Sequence, residues 1–319
     1  MSKRNGLTLR IGTRASKLAI WQAEHVAGLV GQISGAPDVQ LKTITTEGDR
    51  VQDTPLSKVD GKGFFTKEIE RALLDSTVDL AVHSLKDLET RMPPGLILAA
   101  ILEREDPRDV LIGPEGMTVD ALSAGARVGT SSLRRKALLA RWRTDLCVKD
   151  LRGNVPTRIG KYLDGEYDAL VLAAAGVKRL GLEEHIAEYL PADRMYPAVS
   201  QGAVAVQVRE GDAATIEWLA PLDHGDTRLA TRAERAMLRR MEGGCQVPVG
   251  GLATIAESTL TLSATICSLD GSSGVEGSRS GSAERCEEIG TALAETLLAG
   301  GGEDILNGIR EQGERGSAS

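Results

Sequence analysis

Aromatic residues are scarce: the 319-residue sequence holds three Trp, four Tyr and two Phe. Its cores must therefore be aliphatic, and a platform of stacked rings for single-stranded nucleic acid does not fit. Long hydrophobic runs are missing too, none approaching the ~18–20 residues of a membrane span. Met1–Gly6 is too short and polar for a signal peptide, so the expectation is a cytoplasmic protein with no membrane partner. The four cysteines, Cys147, Cys245, Cys267 and Cys286, lie far apart without a C-x-x-C. That argues against a disulfide framework or a structural zinc site, and no metal is expected. Neither a Walker loop nor a G-x-G-x-x-G fingerprint is present. Lysine is sparse, 11 residues against 27 Arg, in a chain of net charge −7. An acidic chain repels nucleic acid and anionic membranes at long range, so neither is an expected partner.

What is there is local positive charge on an acidic background. Seven of the arginines fall between Arg127 and Arg158. The planar guanidinium fork suits carboxylate and phosphate, although a compositional bias explains the excess equally well at this level.

The length allows roughly two or three domains. Short β-branched runs alternate with helical stretches, the pattern of an α/β architecture. Strands are expected at Leu7–Ile11, Val39–Thr45, Val78–His83 and Leu96–Leu102, with helices at Ser16–Val30 and Lys67–Asp75. Then the pattern restarts: strands at Arg127–Gly129, Leu146–Asp150 and Asp168–Ala173, helices at Ser132–Arg143 and Val155–Asp164. Gly12-Thr13-Arg14-Ala15-Ser16 has a counterpart in Gly129-Thr130-Ser131-Ser132, and Asp79-Leu80-Ala81-Val82 in Asp168-Ala169-Leu170-Val171. Unequal separations make these two related domains with different insertions. Ligands of such sheets bind at the carboxyl ends of the strands, where the Gly-Thr turns fall. First-turn amides and hydroxyls at a helix start attract anions, though Gly-Thr-x-x-Ser is also an ordinary capped helix start. Arginines accompany both turns, and Arg152 and Arg158 add to the second. Several separated arginines match several carboxylates better than one phosphate.

Further along, a helix is expected over Thr227–Met241, strands near Val247–Ile255 and Thr259–Leu269, a helix over Ala283–Leu298, and disorder from Gly313. Gly243-Gly244 before Cys245 permits a tight loop that exposes the thiol.

The chain resembles the porphobilinogen deaminase (hydroxymethylbilane synthase) family. The resemblance is carried by Arg10-Ile11-Gly12-Thr13-Arg14, Lys58-Val59-Asp60-Gly61-Lys62-Gly63-Phe64-Phe65, His83-Ser84-Leu85-Lys86-Asp87, Gly129-Thr130-Ser131-Ser132-Leu133-Arg134-Arg135 and Leu151-Arg152-Gly153-Asn154-Val155. Gly176-Val177-Lys178-Arg179-Leu180-Gly181-Leu182, Gln201-Gly202-Ala203 and Glu242-Gly243-Gly244-Cys245-Gln246 continue it in order over almost the whole length. It implies two similar periplasmic-binding-protein-like α/β domains flanking a cleft, plus a smaller C-terminal α+β domain. Domain 1 would comprise 1–103 with 200–220, domain 2 residues 104–199, and domain 3 residues 221–319, carrying the cofactor cysteine. The activity implied is that of a monomeric transferase of tetrapyrrole and heme biosynthesis. It joins four porphobilinogen molecules head to tail, releases ammonia and frees hydroxymethylbilane. The implied cofactor is dipyrromethane, one per chain, held by a thioether to Cys245.

The same resemblance assigns residues. Asp87 with Lys86 would be catalytic, Asp87 stabilising the cation left when ammonia departs; Lys86 either keeps Asp87 ionised or meets a substrate carboxylate. Cofactor contacts would come from Arg134, Arg135, Lys86, Ser84, Asp87, Thr130, Ser131, Ser132, Arg152 and Gly153. Substrate contacts would come from Arg14, Arg152, Arg158, Arg179 and Gln201, and a lid from Lys58, Lys62 and Phe65. Each pyrrole bears an acetate and a propionate, and charge-assisted bonds contribute about 1.5–3 kcal/mol each. Three positions depart from the family pattern: Ser200 stands where Gly is usual, Gln207 where Glu is common, and Leu88 where Pro is common. The competing reading, from the two-domain pattern alone, is a non-catalytic anion-binding module, which has no use for a Gly-Gly-Cys loop.

Overall fold

A computed structural model describes residues 8–50, 66–241 and 247–317. Lys58, Lys62, Phe65 and Cys245 lie outside the described residues. In chain order the first elements are β1 (Thr8–Thr13), α1 (Lys17–Gly31), β2 (Asp38–Thr43), α2 (Glu47–Arg50), α3 (Lys67–Leu74), β3 (Leu80–Ser84) and β4 (Leu96–Ile101). There follow β5 (Asp109–Ile112), β6 (Arg127–Gly129), α4 (Leu133–Trp142), β7 (Cys147–Lys149), α5 (Val155–Leu163), β8 (Ala169–Ala173), α6 (Ala174–Arg179) and β9 (Ile186–Tyr189). Last come β10 (Val204–Arg209), α7 (Ala213–Leu219), α8 (Gly225–Arg240), β11 (Val249–Ala256), β12 (Thr259–Cys267), β13 (Gly274–Ser282), α9 (Cys286–Leu297) and α10 (Glu303–Ser317). The tail expected to be disordered from Gly313 is therefore helical through Ser317. Among the described residues no helix is long and apolar enough to cross a membrane.

Two compact units emerge among the described residues, one of residues 8–50, 66–105 and 203–228, the other of 106–202, 229–241 and 247–317. In the first unit the strand order is β2-β1-β3-β10-β4. β1 runs parallel to β2 and β3, and β10 runs antiparallel to β3 and β4. Leu80-Ala81-Val82 is buried throughout, as a central strand covered on both faces requires. On one face Ala23, Val26 and Val30 of α1 and Leu219 of α7 pack on Ile11, Leu80 and Val82. On the other, Ile69 and Leu73 of α3 meet Val78, Ala81 and Leu96.

The second unit repeats that plan. Its order β7-β6-β8-β5-β9 again has a parallel trio followed by an antiparallel strand. Period-two alternation splits its sheet: Val110, Ile112, Leu170 and Leu172 join Ile159 of α5 and Val177 of α6, while Leu111, Ala169 and Val171 join Leu138 and Leu139 of α4. The repeat extends to side chains. Arg10 binds Asp79 (Nη2 to Oδ1 2.7 Å) and donates to Ser76 O (2.9 Å); Arg127 binds Asp168 (2.8 Å) and donates to Gly165 O (3.1 Å).

The same unit holds an antiparallel sheet, β11-β12-β13. Leu260, Leu262, Ala264 and Ile266 share a core with Met237, Leu293, Leu297 and Leu306. Of the other parity, Thr265 and Cys267 are buried too, whereas Thr261 bonds Ser280 (2.8 Å) and Ser263 bonds Ser278 (3.0 Å) on the more exposed part of the sheet. α9 crosses α8 at Gly290, where a Cβ would lie 2.1 Å from Ala233 O.

Candidate active site

In the first unit the parallel pairing of β1 and β3 sets their carboxyl ends side by side. The chain leaves β3 through a single 3-10 turn, Leu85–Asp87. Leu85 anchors it, donating from its amide to Ala203 O (3.0 Å) and packing with Leu88, Ile101 and Ala205. Anchored this way, Asp87 projects into solvent, and among the described residues its carboxylate has no hydrogen-bond or ion-pair partner. Lys86 beside it is half-buried. Ser84 is held by Gln22, whose Nε2 donates to Ser84 Oγ (2.9 Å). Behind it His83 is buried, its Nε2 3.1 Å from Gln207 Oε1, and Gln207 Nε2 donates to Glu70 Oε1 (3.3 Å). Burial pushes the His83 imidazole down to about 4, and the Arg14 cation adds to the effect. Burial also raises the Glu70 carboxyl.

In the second unit the equivalent strand ends carry the arginines. Ser132 caps α4, accepting from Arg135 N (3.4 Å). Ser131 Oγ accepts from Leu151 N (2.8 Å) and bonds Leu151 O (2.9 Å), and buried Thr130 accepts from Ser132 N (3.4 Å). The Ser131 hydroxyl thus ties the two turns together. Gly153, at φ 111°, adopts a conformation that suits glycine, and a Cβ there would meet Thr157 Cγ2 at 2.8 Å.

Arg134 and Arg135 turn inward, 4 % and 6 % exposed, onto fully buried Asp109. Arg134 Nη1 donates to Oδ2 (2.8 Å) and Tyr196 O (2.6 Å); Arg135 donates from Nη2 to Oδ1 (2.7 Å) and from Nη1 to Val171 O (3.0 Å). Burial alone would raise the Asp109 carboxyl, but the two guanidiniums outweigh it and hold the group well below the usual carboxylate range. Gln201 Nε2 donates to Asp109 Oδ1 and to Pro107 O, both at 2.8 Å. Arg179 donates to Gly202 O (2.7 Å). Arg158 donates through Nε to Gly153 O (2.7 Å), and burial, with Arg135 and Arg152 nearby, pushes it down to about 10.

Asp109 takes Arg134 and Arg135, whereas Arg158 bonds a backbone carbonyl, and among the described residues no carboxylate is hydrogen-bonded to Arg152 or Arg158. Among the described residues, Arg152 Nη2 and the Nε of both Arg134 and Arg135 are buried with no partner. Buried N–H groups are almost always satisfied, so orphaned guanidinium donors beside mutually repelling cations suit an acidic group.

Residues 9–217 match the family model described as "Porphobilinogen deaminase, dipyromethane cofactor binding domain", and residues 228–299 match "Porphobilinogen deaminase, C-terminal domain". The chain belongs to the porphobilinogen deaminase family. The protein of that name from Syntrophotalea carbinolica is 52% identical over 298 residues, covering 93% of this chain and 95% of its own. Its namesake from Syntrophomonas wolfei is 51% identical over 300 residues, covering 93% and 97%. Among solved structures, a periplasmic substrate-binding protein of an ABC transporter from Coxiella burnetii aligns at a TM-score of 0.42 and 16% identity, over 71% of this chain and 96% of that one. That likeness is too low to bear on the chemistry.

Membership makes the chain a transferase of tetrapyrrole biosynthesis that polymerises porphobilinogen to hydroxymethylbilane, with dipyrromethane as its cofactor. A dipyrromethane with an acetate and a propionate on each ring is an acidic group of the kind that the guanidinium nitrogens left without partners among the described residues suit. The structure brings Ser84, Lys86 and Asp87 together at one strand end, near Arg14. It brings Thr130, Ser131, Ser132, Arg134, Arg135, Arg152, Gly153 and Arg158 together at another, with Gln201 reaching them through Asp109. Asp109, Gln22 and the His83–Gln207–Glu70 chain escape the sequence reading. Only for Asp109 is there a signal, a carboxylate opening the apolar run Val110-Leu111-Ile112.

Proposed function

We propose that the residue roles divide by unit. In the first, Asp87 is the catalytic carboxylate. When the aminomethyl group of porphobilinogen loses ammonia, the pyrrole becomes a cationic methylenepyrrolenine. An ionised carboxylate at the pyrrole N–H stabilises that charge, then accepts the proton leaving the α-carbon that has attacked the methylene. Lys86 and Ser84 supply donors to substrate carboxylates beside it, with Arg14. In the second, Arg152 and Arg158 hold acetate and propionate groups, and Arg134 and Arg135 offer the donors their own fold leaves unused. Thr130, Ser131, Ser132 and Gly153 shape those turns, and Arg179, anchored on Gly202 O, adds a further cation for substrate carboxylates. Dipyrromethane, when bound through the Cys245 thioether, would supply the pyrrole α-carbon to which the first porphobilinogen is joined. A tether of that kind keeps the growing chain at the site between additions. The observation that carries this reading is the set of buried guanidinium donors without partners among the described residues.

The three-domain division, the lid formed by Lys58, Lys62 and Phe65, a monomeric state, a cytoplasmic location and the absence of nucleic acid from its partners complete the proposal. The test is intact mass together with turnover. The purified chain carries one dipyrromethane, Cys245→Ser lacks it, and Asp87→Asn keeps the adduct while losing more than a hundredfold in kcat. An unmodified wild-type mass, or near-normal turnover in Asp87→Asn, refutes the respective assignment.

A further inference from the structure

Asp109 has no place in the roles above, yet it is fully buried and bonded to two of the arginines they invoke. We propose that Asp109 is a positioning residue for the acidic pyrrole chain, acting through Arg134 and Arg135 by fixing their planes and leaving the pair half neutralised. The inference rests on the reading of the arginine set just given.

Two facts support it. First, each carboxylate oxygen takes a different guanidinium, and each guanidinium has a second fixed point, Tyr196 O for Arg134 and Val171 O for Arg135. Two anchors define a plane, so the Nε donors left without partners have set directions. Gln201 adds a third donor to the carboxylate and restrains it in turn. Second, one negative charge against two positive leaves a surplus, to which Arg152 and Arg158 add. A fully balanced pair would attract no further carboxylate, whereas an unbalanced pair without Asp109 would consist of two buried cations driven apart.

This gives a test in which charge counting and positioning predict opposite signs. Asp109→Asn makes the site more positive by one charge. Counting charges alone, an acidic ligand then binds more tightly; if positioning governs, it binds more weakly. Full-length chains isolated free of cofactor are incubated with porphobilinogen, and the mass gain of dipyrromethane is followed with time. The expected result for Asp109→Asn is at least tenfold slower loading. In its loaded fraction KM should rise at least tenfold while kcat stays within threefold, and Asp109→Glu should restore loading to within fivefold of wild type. Loading and KM equal to or better than wild type in folded Asp109→Asn overturn the proposal. Should that variant fail to fold, Gln201→Leu removes one donor to Asp109 and leaves every charge in place. A three- to fivefold rise in KM is then expected, and an unchanged KM overturns the proposal. Arg152→Leu separates the two levels of argument. Impaired loading there alongside normal loading in Asp109→Asn defeats only the positioning role, whereas normal loading in Arg152→Leu defeats the arginine-set reading itself.

Discussion

His83 shows how a single buried residue ties stability to pH. Its imidazole is 6 % exposed, bonded to Gln207 and pushed down to about 4, first by burial. An unfolded histidine titrates near 6.5. Below that value the unfolded chain takes up a proton that the folded one refuses, so the contribution is complete above about 6.5 and is lost as pH falls toward 4. Over that window it amounts to roughly 3 kcal/mol. Glu70, at the other end of the chain of bonds, acts in the opposite sense. Its carboxyl is raised by burial, so its contribution is present at low pH and is lost as pH rises through its folded value. Urea unfolding across pH 4–7 in a Glu70→Gln background should show stability falling with acidification. Adding His83→Gln should flatten that slope, and an equal slope in both would remove His83 as the cause. The pairing was invisible in the sequence because His83 and Gln207 are 124 positions apart. Gln207 registers there only as a departure from the family pattern. Ser200, another departure, sits at φ 65°, its buried Oγ unpartnered among the described residues, a conformation that explains why glycine suits the position.

At the scale of elements, what was legible follows from local chemistry. Ser16, Ser132 and Asn154 cap α1, α4 and α5 by accepting from the amides three residues on, and each helix was expected within a few residues of where it lies. The strands β5, β9, β10 and β13 were not expected. β13 reads Gly-Val-Glu-Gly-Ser-Arg-Ser-Gly-Ser, without the β-branched alternation that marks a strand, and exists because β12 pairs with it along its full length. β10 inserts antiparallel between β3 and β4 from more than a hundred residues away, an arrangement no local pattern encodes. The crossing of α9 on α8 is likewise a tertiary fact with a local trace, Gly290. Gly290→Ala should lose about 3 kcal/mol, because the new methyl meets backbone that cannot yield. Gly308→Ala on α10 has nothing within 4 Å and should gain up to about 1 kcal/mol from helix propensity. Chemical denaturation of the two variants side by side checks both signs, and similar effects would show that the close approach does not decide the matter.

Across the whole molecule, the duplication inferred from Asp79 and Asp168 turns out to rest on matched sheets and matched ion pairs, each closing a strand onto the turn before its neighbour. The unequal insertions blurred it in the sequence without altering the strand order. The two copies are not energetically equal. The side chains of Asp79 and Arg10 are 15% and 40% exposed, and Arg209 lies 3.6 Å from Asp79; those of Asp168 and Arg127 are 42% and 39% exposed. Water screens the second pair more, so it contributes less. Both carboxyls are lowered: for Asp79 the bonds from Arg10 and its amide outweigh burial, and for Asp168 the bonds from Arg127 lead and bring it to about 2. Their contributions are therefore complete above the ordinary carboxylate range and are lost only as pH falls through the folded values. At pH 7 Asp79→Asn should destabilise its unit by about 2 kcal/mol, and Asp168→Asn should destabilise its own by clearly less. Hydrogen exchange read by mass spectrometry resolves the two. Amides of β1 and β3 should exchange faster in Asp79→Asn while those of β6 and β8 keep wild-type protection, and Asp168→Asn should show the reverse at smaller amplitude. Equal amplitudes would mean that exposure does not set the strength of the pairs, and faster exchange in both units from either substitution would mean that the copies unfold as one.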